Sequence, residues 1–90
     1  MGYEWDPAKA RANAAKHCVH FGDAVAALED ERAVTIRDSW SDEEERWITL
    51  GQDGLGRLLV VVYSWPDENV RLISARLATH RERRVYTENL

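Results

Sequence analysis

The first thirty residues carry the pattern of two helices. The pair Asp6-Pro7 is a helix-start signal, because aspartate caps a helix and proline is preorganised for its first turn. Residues 8–16 hold five alanines among polar residues, which predicts a helix of high propensity and low hydrophobicity. A second helix is predicted over residues 22–29, where Val25 and Leu28 share one face at a spacing of three.

From residue 33 onward the hydrophobic positions repeat at period two, which is typical of strands. The continuous apolar stretch of residues 58–63 predicts a strand that is buried on both faces and central in its sheet. A capping box at residues 79–82 predicts a short helix that continues to about residue 89. The four predicted strands cover residues 33–37, 45–50, 57–65 and 70–76.

This order predicts an α+β fold in which two N-terminal helices pack as one layer on a four-stranded antiparallel sheet, followed by a short C-terminal helix. The 90 residues suffice for one core and predict a single domain over residues 1–90. No apolar stretch approaches the roughly 20 residues that cross a bilayer, so no membrane association is expected. The N-terminus also lacks the basic start and apolar segment of a signal peptide.

Charge and cysteine content narrow the expected environment. The single cysteine, Cys18, excludes an internal disulfide and favours a reducing, cytoplasmic location. The net charge of −4 is uneven, because residues 1–53 carry −6 and residues 54–90 carry +2. All six basic residues of the second segment are arginines, whose planar guanidinium binds phosphate or carboxylate bidentately. This segment is therefore predicted to form an anion-binding face.

Metal-free cleavage of RNA is one chemistry that these residues permit. It requires a base for the 2′-hydroxyl proton, cations for the charged phosphorane and an acid for the leaving 5′-oxygen. Arg57 and Arg76 lie at strand ends and are candidates for binding the phosphate. The base is assigned to His17 or Glu45, and the acid to Lys16, Tyr86 or His17.

Other chemistries receive less support from the sequence. His17, Cys18 and His20 form an incomplete metal motif, because structural zinc sites need four ligands in two spaced pairs. Residues 51–56 are rich in glycine but lie between strands, which is typical of a hairpin and not of a phosphate loop. Neither a metal nor another cofactor is expected. Trp40, in a polar turn, is equally compatible with partner contact and with simple packing.

Two longer patterns carry a family resemblance. The phrases EWDPxKAxxNxxKH and ISARxAxxxERxxY occur in this order near the two ends of the chain. Between them, Glu45-Arg46 and Gly56-Arg57 stand at matching positions. With these runs, which cover nearly the whole chain, the sequence resembles the BrnT family of type II toxin–antitoxin toxins. These are small ribonucleases whose fold is similar to that of RelE.

The resemblance implies an RNA-cleaving toxin that inhibits translation and growth and is neutralised by a BrnA-like antitoxin. The DNA-binding part of the antitoxin would repress the shared operon, so RNA and this antitoxin are the expected partners. A dimer and a heterotetramer with the antitoxin are the open alternatives for assembly. The second hypothesis for function is a non-catalytic or weakly active antitoxin-binding module of the same fold.

The resemblance also implies a set of site residues. The predicted catalytic residues are Lys16, His17, Glu45, Arg57, Arg76 and Tyr86, and the predicted substrate-binding residues are Arg46 and Arg83. Two positions depart from the family pattern. Cys18 stands where glycine commonly ends the first helix, which predicts a steric penalty or a local change there. His20 replaces a small capping residue, which predicts a weaker start of the second helix.

Overall fold

The structure is a computed structural model that describes residues 2–39 and 45–88. The predicted turn at residues 39–42, which contains Trp40, lies outside these ranges except for Ser39. No helix within them is long and apolar enough to span a membrane. The elements in chain order are β1 (Tyr3–Glu4), α1 (Pro7–His17), α2 (Phe21–Leu28), β2 (Val34–Arg37), β3 (Arg46–Gln52), β4 (Leu58–Ser64), β5 (Val70–Leu77) and α3 (His80–Glu88).

The sheet has five strands in the order β1-β5-β4-β3-β2. Strands β2 to β5 are antiparallel as predicted, whereas β1 pairs in parallel with β5, placing Tyr3 opposite Val70. The predicted α+β class is confirmed, but the sheet has five strands and is mixed, where four antiparallel strands were predicted. A strand of two residues is too short to show an alternating pattern. Its partner lies more than sixty residues away, so the sequence carries no local signal for this pairing.

Helices cover both faces of the sheet, so the predicted single helical layer is also wrong. The two N-terminal helices follow β1 and pack on one face, here called the α1–α2 face. Helix α3 packs on the opposite face, here called the α3 face. The α1–α2 core contains Val19, Phe21, Ala24, Ala27, Leu59, Val61, Tyr63, Val70, Leu72 and Ala75. The core under α3 is smaller and contains Leu50, Leu58, Val60 and Tyr86.

Strand β4 occupies the centre of the sheet, as its apolar run predicts. Leu59 and Val61 point into the α1–α2 core, while Leu58 and Val60 point into the α3 core. Each such side chain contributes roughly 1.5–3 kcal/mol when fully buried. Burial on both faces explains why this strand lacks the polar and apolar alternation of a half-exposed strand.

Helix α1 ends in the left-handed conformation at Cys18, with φ of 58° and ψ of 32°. Its backbone N–H donates to the carbonyl of Ala14 at 2.9 Å. A non-glycine residue in this conformation costs about 1–2 kcal/mol, so the expected steric penalty is present and the helix end is retained. His20 is the N-cap of α2 and makes no side-chain capping bond, in agreement with the expected weaker helix start.

The carboxamide of Asn13 occupies the free edge of β5. It donates through Nδ2 to the carbonyl of Ala75 at 2.9 Å and accepts from the Ala75 N–H through Oδ1 at 3.0 Å. The same Nδ2 donates to the carbonyl of Val19 at 2.9 Å. Because β1 covers only the first part of this edge, Asn13 replaces a neighbouring strand and fixes α1 against the sheet.

Candidate active site

Several predicted site residues converge on one end of the sheet. At this end β3 and β5 finish and β4 begins, since Gln52 lies opposite Leu58 and Leu59 lies opposite Leu77. Arg57 directly precedes β4 and lies at this end of the sheet, which is called the Arg57 end below. Its Nη1 donates to the carbonyl of Cys18 at 3.4 Å, which brings the last turn of α1 to the same place.

An open groove of about 250 Å³ runs between α1 and β5. Lys9, Lys16 and His17 line it from the helix, because residues at spacings of seven and eight lie on one helical face. Ile73 and Ser74 line it from the strand. Lys9 is not among the site residues predicted from the sequence. Its spacing of seven from Lys16 is the signal that could have identified it.

The groove is cationic and accessible. Both lysines are exposed and His17 is half-buried. Within the described ranges neither lysine forms an ion pair. Histidine is the side chain that exchanges protons most readily near neutral pH. The groove therefore combines two unpaired cations with a proton-transfer group.

The guanidinium of Arg57 ties three segments together. Its Nε donates to Asp53 Oδ2 at 2.9 Å, and its Nη2 donates to Asp23 Oδ2 at 3.2 Å. The Asp53 side chain is fully buried and also accepts the backbone N–H groups of Leu55 and Arg57. Together with the contact to Cys18, these bonds connect the β3–β4 hairpin, α2 and the end of α1. Arg57 thus fixes the position of the groove.

Arg76 lies on the α3 face and pairs bidentately with Glu82. Nη1 donates to Oε1 and Nη2 donates to Oε2, both at 2.9 Å. The predicted capping box is present, since Glu82 Oε1 accepts the Thr79 N–H and Thr79 Oγ1 accepts the Glu82 N–H. These bonds lower the pKa of Glu82 to about 2, with the Arg76 hydrogen bond as the largest cause. The same pair raises the pKa of Arg76.

The lowered pKa of Glu82 predicts a loss of stability in acid. A carboxyl that ionises more easily in the folded state stabilises the fold above its unfolded pKa and loses this contribution as the pH falls. We expect the free energy of unfolding to fall between pH 4.5 and about 2. In Glu82→Gln the corresponding decrease should be smaller by about 1–2 kcal/mol, since solvent screens part of the effect. Urea unfolding across this pH range measures the free energy of unfolding of both proteins. An equal decrease of this free energy with falling pH in the wild-type protein and in Glu82→Gln would contradict the prediction.

Tyr86 holds α3 to the loop after α2. Its hydroxyl donates to Asp30 Oδ2 at 2.6 Å, and its side chain is buried. The hydrogen bond to Asp30, followed by burial, raises the pKa of Tyr86. Burial alone would raise the pKa of Asp30, but hydrogen bonds from Tyr86 and from the N–H groups of Arg32 and Gln52 lower it. The Tyr86 hydroxyl is therefore occupied and is not exposed in the groove.

The remaining predicted residues lie elsewhere. Glu45 is exposed and pairs with Arg37 at 3.3 Å. Arg46 lies opposite Ser64, at the far end of β3 from Gln52, a separation of about 20 Å for six residues of strand. Arg83 is exposed on α3. The structure therefore places Arg57 in contact with Cys18, which directly follows Lys16 and His17 in the chain. It places Arg76 and Tyr86 at the same end on the opposite face, and it leaves Glu45 and Arg46 at the other end.

A metal cluster is not found among the described residues. Within residues 2–39 and 45–88, no three His, Cys, Asp or Glu side chains lie close enough to hold an ion together. This includes His17, Cys18 and His20, the histidines and cysteine of the incomplete motif. His20 instead lines a separate recess with Trp5 and Arg11, on another side of α1.

Comparison with known families identifies the chain. The family model of the BrnT ribonuclease toxins of type II toxin–antitoxin systems matches residues 5–82. The chain belongs to the BrnT family. The predicted resemblance is thus confirmed, and membership implies an RNA target and an antitoxin partner. Arg83 and Tyr86 lie beyond the matched residues.

A solved structure agrees with the fold of the BrnT family. The chain is similar to the 1.1 Å crystal structure of the Brucella abortus ribonuclease toxin BrnT, with a TM-score of 0.70 and 24% sequence identity. The match covers 89% of this chain and 99% of that one. No curated protein matches the sequence. At this identity the comparison supports the three helices and mixed sheet and leaves the roles of individual residues to the site geometry.

Proposed function

We propose that this protein cleaves RNA without a metal ion in the groove between α1 and β5. The observation that carries the proposal is the grouping of Lys9, Lys16 and His17 along one accessible face of α1, next to Ile73 and Ser74. Family membership supplies the reaction class, and the groove supplies the proton-transfer group and cations that this reaction requires.

In the proposed mechanism His17 takes the proton from the RNA 2′-hydroxyl, and the resulting oxygen attacks the adjacent phosphorus. Lys16 stabilises the negative charge on the phosphorane and donates a proton to the departing 5′-oxygen. The products are a 2′,3′-cyclic phosphate and a free 5′-hydroxyl, so no water is consumed in this step. Lys9 provides a second cation for the neighbouring phosphate.

Arg57, Arg76 and Tyr86 act as positioning residues in this proposal. Arg57 holds the α1–α2 junction through Asp53, Asp23 and the Cys18 carbonyl. Arg76 and Tyr86 fix the two ends of α3 through Glu82 and Asp30. Glu45 directly precedes β3, which lies two strands away from β5 and the groove, so we assign the base to His17.

We further propose the regulation that is typical of such a toxin. Cleavage of RNA would inhibit translation and growth, and a BrnA-like antitoxin would neutralise the protein. A DNA-binding domain in that antitoxin would bring the complex to its operon. Type II toxin–antitoxin membership supports a protein antitoxin.

The test is cleavage of RNA in the presence of EDTA. We expect the purified protein to release fragments with 2′,3′-cyclic phosphate ends from mixed RNA or from ribosome-bound messenger RNA. Lys16→Ala should lower the rate about 100-fold, because one charge-stabilising group is typically worth 10²–10³. Arg11→Ala removes the same charge from another side of α1 and should cleave at the wild-type rate.

Three outcomes distinguish the alternatives. Cleavage that stops in EDTA would overturn the metal-free mechanism. Equal losses of the cleavage rate in Lys16→Ala and Arg11→Ala would show a general effect of charge. This outcome would overturn the assignment of the groove as the cleavage site. Absence of cleavage on both RNA substrates, together with tight binding of the antitoxin, would favour the weakly active binding module.

A further inference from the structure

A row of three polar side chains crosses the sheet at the end opposite Arg57. Ser64 of β4 lies directly between Arg46 of β3 and Arg71 of β5 in the strand register. Side chains at paired positions of neighbouring strands point to the same face. Since Leu58 and Val60 of β4 face α3, the alternation of the strand places this row on the α3 face.

The two arginines of this row are available to a ligand. Both are exposed, and within the described ranges neither forms an ion pair or hydrogen bond through its side chain. Glu4 lies beside Arg71 in the register of β1 and β5 without pairing with it. This contrasts with Arg57 and Arg76, whose guanidinium groups are held by carboxylates.

The serine between them is buried and unsatisfied. Ser64 is 1% exposed, and among the described residues its Oγ is the buried side-chain atom that lacks a hydrogen-bond partner. A buried hydroxyl without a partner destabilises a fold. A ligand atom that accepts a hydrogen bond from this hydroxyl would remove the destabilisation. Ligand binding would therefore explain why a serine occupies this buried position.

An aromatic side chain completes the arrangement. Ser64 lines a recess of about 240 Å³ with Trp65, Pro66 and Glu45. Trp65 is 49% exposed and directly follows β4. The Glu45 carboxylate is paired with Arg37, so part of its charge is compensated. Exposed aromatic rings stack on bases of single-stranded RNA, and arginines bind its phosphates.

We propose that this row and recess form a second RNA-binding subsite, which holds one nucleotide of the substrate away from the cleaved bond. Arg46 and Arg71 bind its phosphate, the Ser64 hydroxyl donates to a phosphate oxygen, and Trp65 stacks on its base. Arg71 precedes Ser74, which lines the groove, by three residues of β5, or about 10 Å. The inference rests on the proposed function, since it assigns an extended single-stranded RNA to both sites.

Binding of an RNA that cannot be cleaved tests the subsite separately from catalysis. A fluorescent RNA oligonucleotide with 2′-O-methyl groups lacks the attacking hydroxyl, and fluorescence anisotropy gives its Kd. We expect Arg46→Ala and Arg71→Ala each to raise Kd about tenfold. Each should also reduce the slope of log Kd against log salt by about 0.7, which corresponds to one phosphate contact on a single strand. Arg11→Ala, with the same change of charge, should keep the wild-type slope.

Two further variants separate binding from a structural role. Ser64→Ala should raise Kd several-fold while its Tm is unchanged or higher, because the substitution removes an unsatisfied hydroxyl. Trp65→Leu should raise Kd about tenfold through lost stacking. A lower Tm with an unchanged Kd in Ser64→Ala would make the serine structural and overturn its role.

The remaining outcomes are equally decisive. Wild-type Kd and salt slope in Arg46→Ala and Arg71→Ala would overturn the subsite, as would the absence of RNA binding by the wild-type protein. Weakened binding in these variants, in a protein that cleaves no RNA, would retain the subsite and reject the proposed function. If the wild-type protein cleaves RNA and the Arg46→Ala and Arg71→Ala variants bind RNA with the wild-type Kd, the proposed function would be retained and the subsite rejected.

Discussion

Asn13→Ala is expected to lower the free energy of unfolding by about 3–4 kcal/mol, because three buried backbone bonds depend on this one carboxamide. The substitution leaves the N–H and carbonyl of Ala75 and the carbonyl of Val19 without their partner. Alanine has a high helix propensity, so the expected loss comes from the contact with the sheet. Urea unfolding followed by circular dichroism measures it.

Asn69→Ala is the matched control for this prediction. Asn69 is exposed and accepts one hydrogen bond, from the N–H of Gly2 at 3.0 Å, so its replacement should cost less than about 1 kcal/mol. Equal effects of the two substitutions would show that the contact between α1 and β5 adds little stability. A second variant, Asn13→Asp, retains an acceptor for Ala75 but loses both donated bonds and should also unfold more easily.

His17→Gln is expected to reduce the rate of RNA cleavage by about 10²–10⁴, the range for removal of a proton-transfer group. Glutamine retains a polar side chain of similar length but does not exchange protons near neutral pH. The loss should appear in kcat, with KM changed little, because the lysines of the groove still bind phosphate. Single-turnover cleavage of a labelled RNA across pH 5 to 9 measures both the rate and the pH profile.

His20→Gln is the matched control for this variant. His20 is exposed, lies three residues further along the chain, and lines a recess other than the groove. It should cleave RNA at the wild-type rate with the wild-type pH profile. If His17→Gln and the wild-type protein shared one pH profile, His17 would not be the base and the proposed mechanism would fail.

The residues of the candidate site differ in how far the sequence could assign them. Lys16 and His17 belong to one helical turn, so their proximity follows from helix geometry. Their proximity to Arg57 depends on the bond from its Nη1 to the Cys18 carbonyl, between residues 39 positions apart. Glu45 and Arg57 are both charged residues near strand ends, and the sequence could not show that they lie at opposite ends of the sheet.

The two arginines that were predicted to bind the phosphate show the same limit. Composition and position made Arg57 and Arg76 suitable ligands for phosphate, but both guanidinium groups are occupied by carboxylates of the chain. The side chains of Arg46 and Arg71 are unpaired within the described ranges and therefore available to an anion. Whether an arginine is paired depends on carboxylates from other segments of the chain, and no local sequence pattern predicts which of them it contacts.

The features that could be predicted from the sequence depend on local interactions. Each of these features depends on neighbours along the chain or on a run of apolar residues. They are the capping box at residues 79–82, the helix start at Asp6-Pro7 and the central position of β4. The family motifs further identified the reaction class.

Three features depend on long-range packing: the parallel pairing of β1 with β5, the side of the sheet that α3 covers, and the Asn13 carboxamide at the edge of β5. Each of these joins segments that are distant in sequence, or depends on which of two faces offers the better burial. Such choices are settled by the free energy of the whole packed chain, and no single segment encodes them.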